Sequence, residues 1–215
     1  MNIQEEHIDE LILRYPALEY NRVELKEAAR ALIETLDGGG KLLICGNGGS
    51  AADADHIVGE LMKGFVRPRP LRKELKEALI RAGGDEGRRM GLLLQGGLPA
   101  VSLCAHTALN TAFSNDVDPA LAFAQQAFSL GNPVDLLWGL STSGNSSNIV
   151  FAAIAARAVG MKTLALTGEK ESRLSEIADI CIRVQGTETY KIQELHLPVY
   201  HALCRILEDH CFGEN

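Results

Sequence analysis

Four side chains stand out as a candidate acid, base and ligand set: His56, Glu60, Gln193 and His201. His56 and Glu60 are spaced i,i+4, so on a helix they share one face. Gln193 and His201 lie two turns apart and share roughly one face, with His196 between them and Pro198 able to bend the segment. A carboxylate beside an imidazole can serve as an acid/base pair. The same four donors could hold one Zn²⁺, because nitrogen and oxygen ligands suit it, although Gln is not among its usual partners. The plain alternative for His56 and Glu60 is a surface pair on a helix. His7, His106 and His210 have no such spacing.

Two turns could hold the anionic part of a substrate. The first, Gly46-Asn47-Gly48-Gly49-Ser50, follows the apolar run Leu42–Cys45 and precedes an alanine-rich helix. Glycines let backbone N–H groups approach a ligand, and a helix N-terminus favours negative charge. No Gly-Lys-Ser/Thr follows, so this is not a Walker loop, and its spacing is not that of a dinucleotide fingerprint. The second turn, Ser141-Thr142-Ser143-Gly144-Asn145-Ser146, brings hydroxyls and an amide to another helix start. It suits a phosphate held by neutral donors; simple capping by Ser146 or Ser147 is the alternative. A nucleophilic serine is disfavoured because GxSxG is absent.

The elements that must position these groups alternate. Helices are expected over 3–14 and 18–36, ended by Pro16 and by Gly38-Gly39-Gly40. Strands are expected at 42–45, 98–104, 134–140, 162–166 and 180–184. Helices fall at 51–61, 119–130, 147–159, 174–178 and 189–210, with a helix or turn at 105–112 and a polar loop at 114–116. Such alternation implies a parallel sheet covered on both faces, with ligands beyond the strand C-termini, where both turns sit. Helices 1–38 precede the first strand and either cover their own sheet or meet another subunit. Segment 71–97 reads as an insertion: an amphipathic helix to Gly83-Gly84, then an extension or a second short helix. It is either a solvated appendage or a lid or subunit contact.

The chain of 215 residues suits a single domain, 46% hydrophobic and 23% charged. A net charge of −7 argues against a nucleic-acid surface. No apolar run approaches the roughly 20 residues of a bilayer span, and the acidic N-terminus lacks a signal-peptide core, so a cytoplasmic location is expected. The five cysteines are widely spaced, without CxxC. Cys45, Cys104 and Cys181 read as small buried hydrophobes, and a disulfide framework is not expected.

Three stretches, CGNGGSAADADH, STSGNS and KIQELHLPVYH, closely resemble motifs of the sugar isomerase (SIS) domain family, in that family's order. The resemblance runs from about residue 3 to 212 apart from the insertion. It implies an α/β/α three-layer sandwich on a five-stranded parallel sheet. It also implies a homotetramer with active sites between subunits, the N-terminal helices contributing to its core. Ser141, Thr142, Ser143 and Ser146 would hold the substrate phosphate. Asn47, Gly48, Gly49, Ser50, Asn115, Asp116 and Gln193 would line the sugar site. Glu60 matches the family's catalytic glutamate and His201 its catalytic histidine. His56, Glu60, Gln193 and His201 match the Zn²⁺ ligands of some members. The implied activity is aldose–ketose isomerisation of a phosphosugar through a cis-enediol, and the combination looks most like members acting on sedoheptulose 7-phosphate. The alternatives are a non-catalytic phosphosugar-binding relative and an isomerase of another sugar phosphate; retention of Glu60 and His201 favours an enzyme over the former. Two departures bear on substrate choice. Lys63 stands near where the family often has Arg, and Tyr190-Lys191 precede the Ile-Gln-Glu run where it often has Asp.

Overall fold

The computed structural model describes residues 3–213. Its centre is a five-stranded, all-parallel sheet in the order β2-β1-β3-β4-β5. The strands are β1 (Leu42–Cys45), β2 (Ala100–Ser102), β3 (Leu136–Ser141), β4 (Lys162–Gly168) and β5 (Ile180–Val184). Every residue of β1 and β3 is buried, as expected for strands covered on both faces.

Strand side chains alternate between two cores. Leu42, Ile44, Leu136, Trp138, Leu164 and Ile182 face one, closed by α1 (Ile3–Arg14), α2 (Arg22–Asp37), α3 (Gly49–Met62) and α9 (Thr189–Phe212). Leu43, Cys45, Leu137 and Ala165 face the other, closed by α6 (Ala122–Leu130), α7 (Ser147–Val159) and the short α8 (Arg173–Ile177). The sequence reading of an α/β/α sandwich is therefore what the chain adopts. Leu25, Ala28, Ala29 and Leu32 of α2 are fully buried in the chain's own core, so this helix does cover its own sheet.

Several local expectations change. Helix 18–36 begins instead as a 3₁₀ segment, Pro16–Asn21, because proline fixes the first turn, and α2 follows. Strand 98–104 shortens to the three residues of β2. The expected polar loop at 114–116 is the last turn of α5 (Thr107–Asp116). The α9 helix runs through Pro198 without a break, since burial of Ile192, Val199, Leu203 and Leu207 outweighs the roughly 3 kcal/mol that an interior proline costs. Segment 71–97 holds α4 (Lys73–Leu93), a helical hairpin turning at Gly84, whose φ of 55° and ψ of −123° no other residue type adopts readily. Its arms touch backbone to backbone, for a Cβ on Gly87 would stand 1.8 Å from the Leu79 carbonyl oxygen. All five cysteines are free: Cys45 is buried, Cys104 and Cys181 are half-buried, and burial raises all three thiols above their ordinary range.

The His196 ring is wholly buried in α9 against the Thr167 carbonyl, 3.3 Å away, and burial depresses its pKa from 6.5 to about 4. The folded state thus keeps this imidazole neutral where the unfolded chain protonates it. Its contribution is complete above pH 6.5 and is lost as pH falls toward 4, to about 3 kcal/mol. Chemical denaturation of wild type and His196→Asn across that range should show a shallower pH slope in the variant. Parallel slopes would remove this assignment.

Candidate active site

The sheet order places β1 and β3 side by side where the winding reverses. Ligands of open parallel sheets bind at this point, beyond the strand C-termini. Both expected anion turns lie there. The first enters α3 through Gly48, at φ 55°. The second enters α7 through Ser146, whose side chain makes no capping hydrogen bond; instead the buried Ser141 hydroxyl donates to Ser146 Oγ at 3.1 Å. Capping therefore does not account for the serines. Thr142 and Ser143 line a cavity of about 240 Å³ with Gly168 and Lys170. The two turns are clipped together by a reciprocal amide pair, Asn47 Nδ2 to Asn148 Oδ1 at 2.9 Å and Asn148 Nδ2 to Asn47 Oδ1 at 2.8 Å.

Ser50 is buried at the start of α3. Gln193 packs against the first turn so closely that a Cβ on Gly49 would meet its Nε2 at 2.6 Å. Asn110 and Ser114, on α5, line a second cavity with Asn47, Gly48 and Asn148. Asn115 and Asp116 sit in the exposed last turn of α5, bonded to each other at 2.8 Å and outside that lining.

The residues expected to act as acid and base gather further along α3, where it lies beside α9. His56 Nε2 is 3.1 Å from Glu60 Oε1, and Lys63 Nζ donates to Glu60 Oε2 at 3.1 Å. The His56 and His201 rings meet edge to face at 5.0 Å, and Phe65 lies 5.4 Å from His201. Burial, then the neighbouring His56, lowers the His201 pKa, so its imidazole stays neutral at physiological pH. Its Nε2 is buried without a hydrogen-bond partner. Tyr200 donates to Asp53 Oδ1 at 3.1 Å and stands 3.0 Å from His56 Nδ1. A hydroxyl already donating to Asp53 can only accept from His56, so Nδ1 is the donor there, and the Nε2 contact with Glu60 Oε1 is a hydrogen bond only when a further proton lies between the two. Burial raises the Asp53 carboxyl above its usual range and the Tyr200 hydroxyl likewise.

Glu60, His56 and His201 therefore meet within one chain. From Gly49 to Glu60, however, α3 advances about 16 Å, so the acid–base group and the chain's own anion turns occupy opposite ends of the helix.

The SIS domain family profile matches residues 15–85 and 77–168, the two stretches overlapping inside the insertion. The chain is 36% identical over 190 residues to the phosphoheptose isomerase of Akkermansia muciniphila, covering 88% of this chain and 87% of that one. It is 39% identical over 186 residues to that of Roseiflexus sp., covering 86% and 81%. The chain belongs to the SIS domain family. Among solved structures, a phosphoheptose isomerase from Francisella tularensis superimposes with a TM-score of 0.75 at 30% identity, over 95% of this chain and 96% of that one.

Within this SIS chain, sequence reasoning missed five residues. Asn148 follows the hydroxyl turn by two residues, and its proximity was the available signal. Asp53 lies one turn before His56 on the same face. Tyr200 precedes His201 and carried no pattern of its own. The buried Arg69–Glu208 pair joins segments far apart in sequence, and no local signal announces it.

Proposed function

We propose that this chain is a phosphoheptose isomerase that interconverts sedoheptulose 7-phosphate and D-glycero-D-manno-heptose 7-phosphate. The observation carrying this reading is the meeting of Glu60, His56 and neutral His201 in a chain whose relatives are phosphoheptose isomerases. Glu60 takes the proton from C1 of the ketose, and the C1–C2 enediol forms as the C2 carbonyl oxygen gains a proton. The C1 hydroxyl then gives up its proton as C1 becomes the aldehyde, and the carbon proton is returned at C2. His201, on the facing helix, serves the oxygen protons. Ser141, Thr142, Ser143 and Ser146 hold the phosphate, and the Asn47–Asn148 pair keeps the two turns in register.

The length of α3 between turns and base supports a homotetramer whose sites are completed by a neighbouring copy. Light scattering of the purified protein tests this, and a monomer that isomerises at full rate would refute it.

A Zn²⁺ ion at His56, Glu60, Gln193 and His201 belongs to the same proposal; Gln193 packs against Gly49, at the far end of α3 from Glu60, so the glutamine of the set would have to come from a neighbouring copy. The orphaned, neutral His201 Nε2 beside His56 and Glu60 fits a ligand set chemically. Among the described residues no three His, Cys, Asp or Glu groups stand ready as a metal cage, so the side chains would have to rearrange to ligate. Bound there, the ion would polarise the substrate carbonyl. Incubation with sedoheptulose 7-phosphate should yield the aldoheptose phosphate by NMR, with zinc present in protein purified without chelator. No turnover across a panel of ketose phosphates would favour a binding module. Full activity after chelation would dismiss the metal alone.

No helix among the described residues is long and apolar enough to cross a membrane, which accords with the cytoplasmic location we propose.

A further inference from the structure

Glu60 is a base only if its helix end is held in place, and α3 ends two residues later at Met62. The last carbonyls of a helix have no partner within it. Here they are met by a guanidinium with no solvent exposure. Arg69 Nη1 donates to the Leu61 carbonyl at 2.7 Å, and Nη2 donates to the carbonyl of Glu60 itself at 3.1 Å. The third arm, Nε, donates to Glu208 Oε1 at 2.8 Å.

Glu208 is equally buried, on α9, two turns beyond His201 and on a shared face. Its carboxylate gathers the connecting loop as well. Oε1 accepts from Phe65 N at 2.8 Å, and Oε2 accepts from Val66 N at 2.8 Å and Arg67 N at 3.1 Å. Burial pushes this carboxyl up, but those amides and Arg69 together outweigh it and hold it below the usual range. Phe65, fixed in this way, is the ring beside His201.

One buried ion pair thus ties the backbone of Glu60, the helix carrying His201 and the loop whose Phe65 ring lies against His201. Stability alone does not account for it, because buried ion pairs are often replaced by apolar residues at little cost. We infer that Arg69 and Glu208 are positioning residues that set the distance between Glu60 and His201. This rests on the reading of Glu60 as the base.

The same node anchors the insertion. The Arg69 carbonyl accepts from Gly96 N at 2.7 Å, Pro70 bridges Gln95, and Gln95 Oε1 accepts from Gly64 N at 2.6 Å beside Lys63. Both ends of the helical hairpin are therefore fastened to the loop that follows the base.

The test is Arg69→Lys, which keeps charge and stem but cannot reach three acceptors at once. Expressed per folded molecule, kcat on sedoheptulose 7-phosphate should fall about 10- to 100-fold while KM stays within about threefold, as for a slightly misplaced base. A purely structural role would lower the folded fraction and leave kcat per folded molecule unchanged; kcat within twofold of wild type overturns the inference. Should Arg69→Lys not fold, Arg69→Met/Glu208→Met, apolar throughout, takes the same measurement with the same two outcomes. Failure of both to fold assigns the pair to the fold alone and also overturns the inference. Glu60→Gln in parallel separates the two ideas. Activity surviving that change refutes Glu60 as base, whereas its loss beside an unaffected Arg69→Lys refutes only the positioning role.

Discussion

Glu60→Gln is expected to lower kcat for sedoheptulose 7-phosphate by about 10³-fold or more, with little change in stability. General-base catalysis contributes roughly 10² to 10⁴ in rate, and an amide of the same shape cannot accept the carbon proton. The fold should survive. Gln retains an acceptor for Lys63, whose own side chain is largely exposed, so the loss of the ion pair costs on the order of 1 kcal/mol. Exchange of the C1 proton with deuterated solvent gives the sharper readout, since it reports proton removal without requiring product release. Wild type should incorporate deuterium and Glu60→Gln should not. Exchange at the wild-type rate in the variant would move the base elsewhere, and His56 would be the next residue to examine, as its Nε2 faces the same position. The depressed pKa of His201 adds a pH signature. Burial and His56 keep the imidazole neutral, so the acidic limb of kcat/KM due to His201 should lie below the ordinary histidine value of 6.5.

Gly144→Ala should cost about 3 kcal/mol of stability and weaken substrate binding at least tenfold. Two penalties add. Gly144 has φ 63°, a left-handed conformation that costs other residues about 1–2 kcal/mol. A Cβ there would also stand 2.0 Å from Ser172 Oγ and 2.5 Å from Ser172 Cβ, and overpacking of this kind costs roughly 1–3 kcal/mol. Ser172 cannot simply move, because its hydroxyl accepts from Ser175 N at the start of α8. The strain falls on the hydroxyl turn between Ser143 and Ser146, so KM should rise with the loss of Tm. Gly48→Ala is the control. It shares the positive φ but has open space around the added Cβ, so strain acts there alone. Equal Tm losses in the two variants would show that the Ser172 clash is relieved.

Much of the site was legible locally. His56 and Glu60 share a helix face by spacing alone, and both turns fall at strand ends because apolar runs precede them and helix patterns follow. Asn115 and Asp116 were misread as a loop, since polar residues at the close of a helix look the same in sequence as residues outside it. Pro198 suggested a bend, but a proline signal describes only its own turn. The packing of Val199, Leu203 and Leu207 on the core decides whether the helix continues.

The order of residues thus determined the alternating elements, the hydroxyl and glycine turns, and the helix face that His56 and Glu60 share. Each depends on contacts within a few residues. Tertiary packing alone decided that His201 meets His56, that Tyr200 and Asp53 orient that ring, and that Arg69 and Glu208 join α3 to α9. These partners lie some 140 residues apart in the chain, and only burial of the α3 and α9 faces against one sheet brings them within hydrogen-bonding reach.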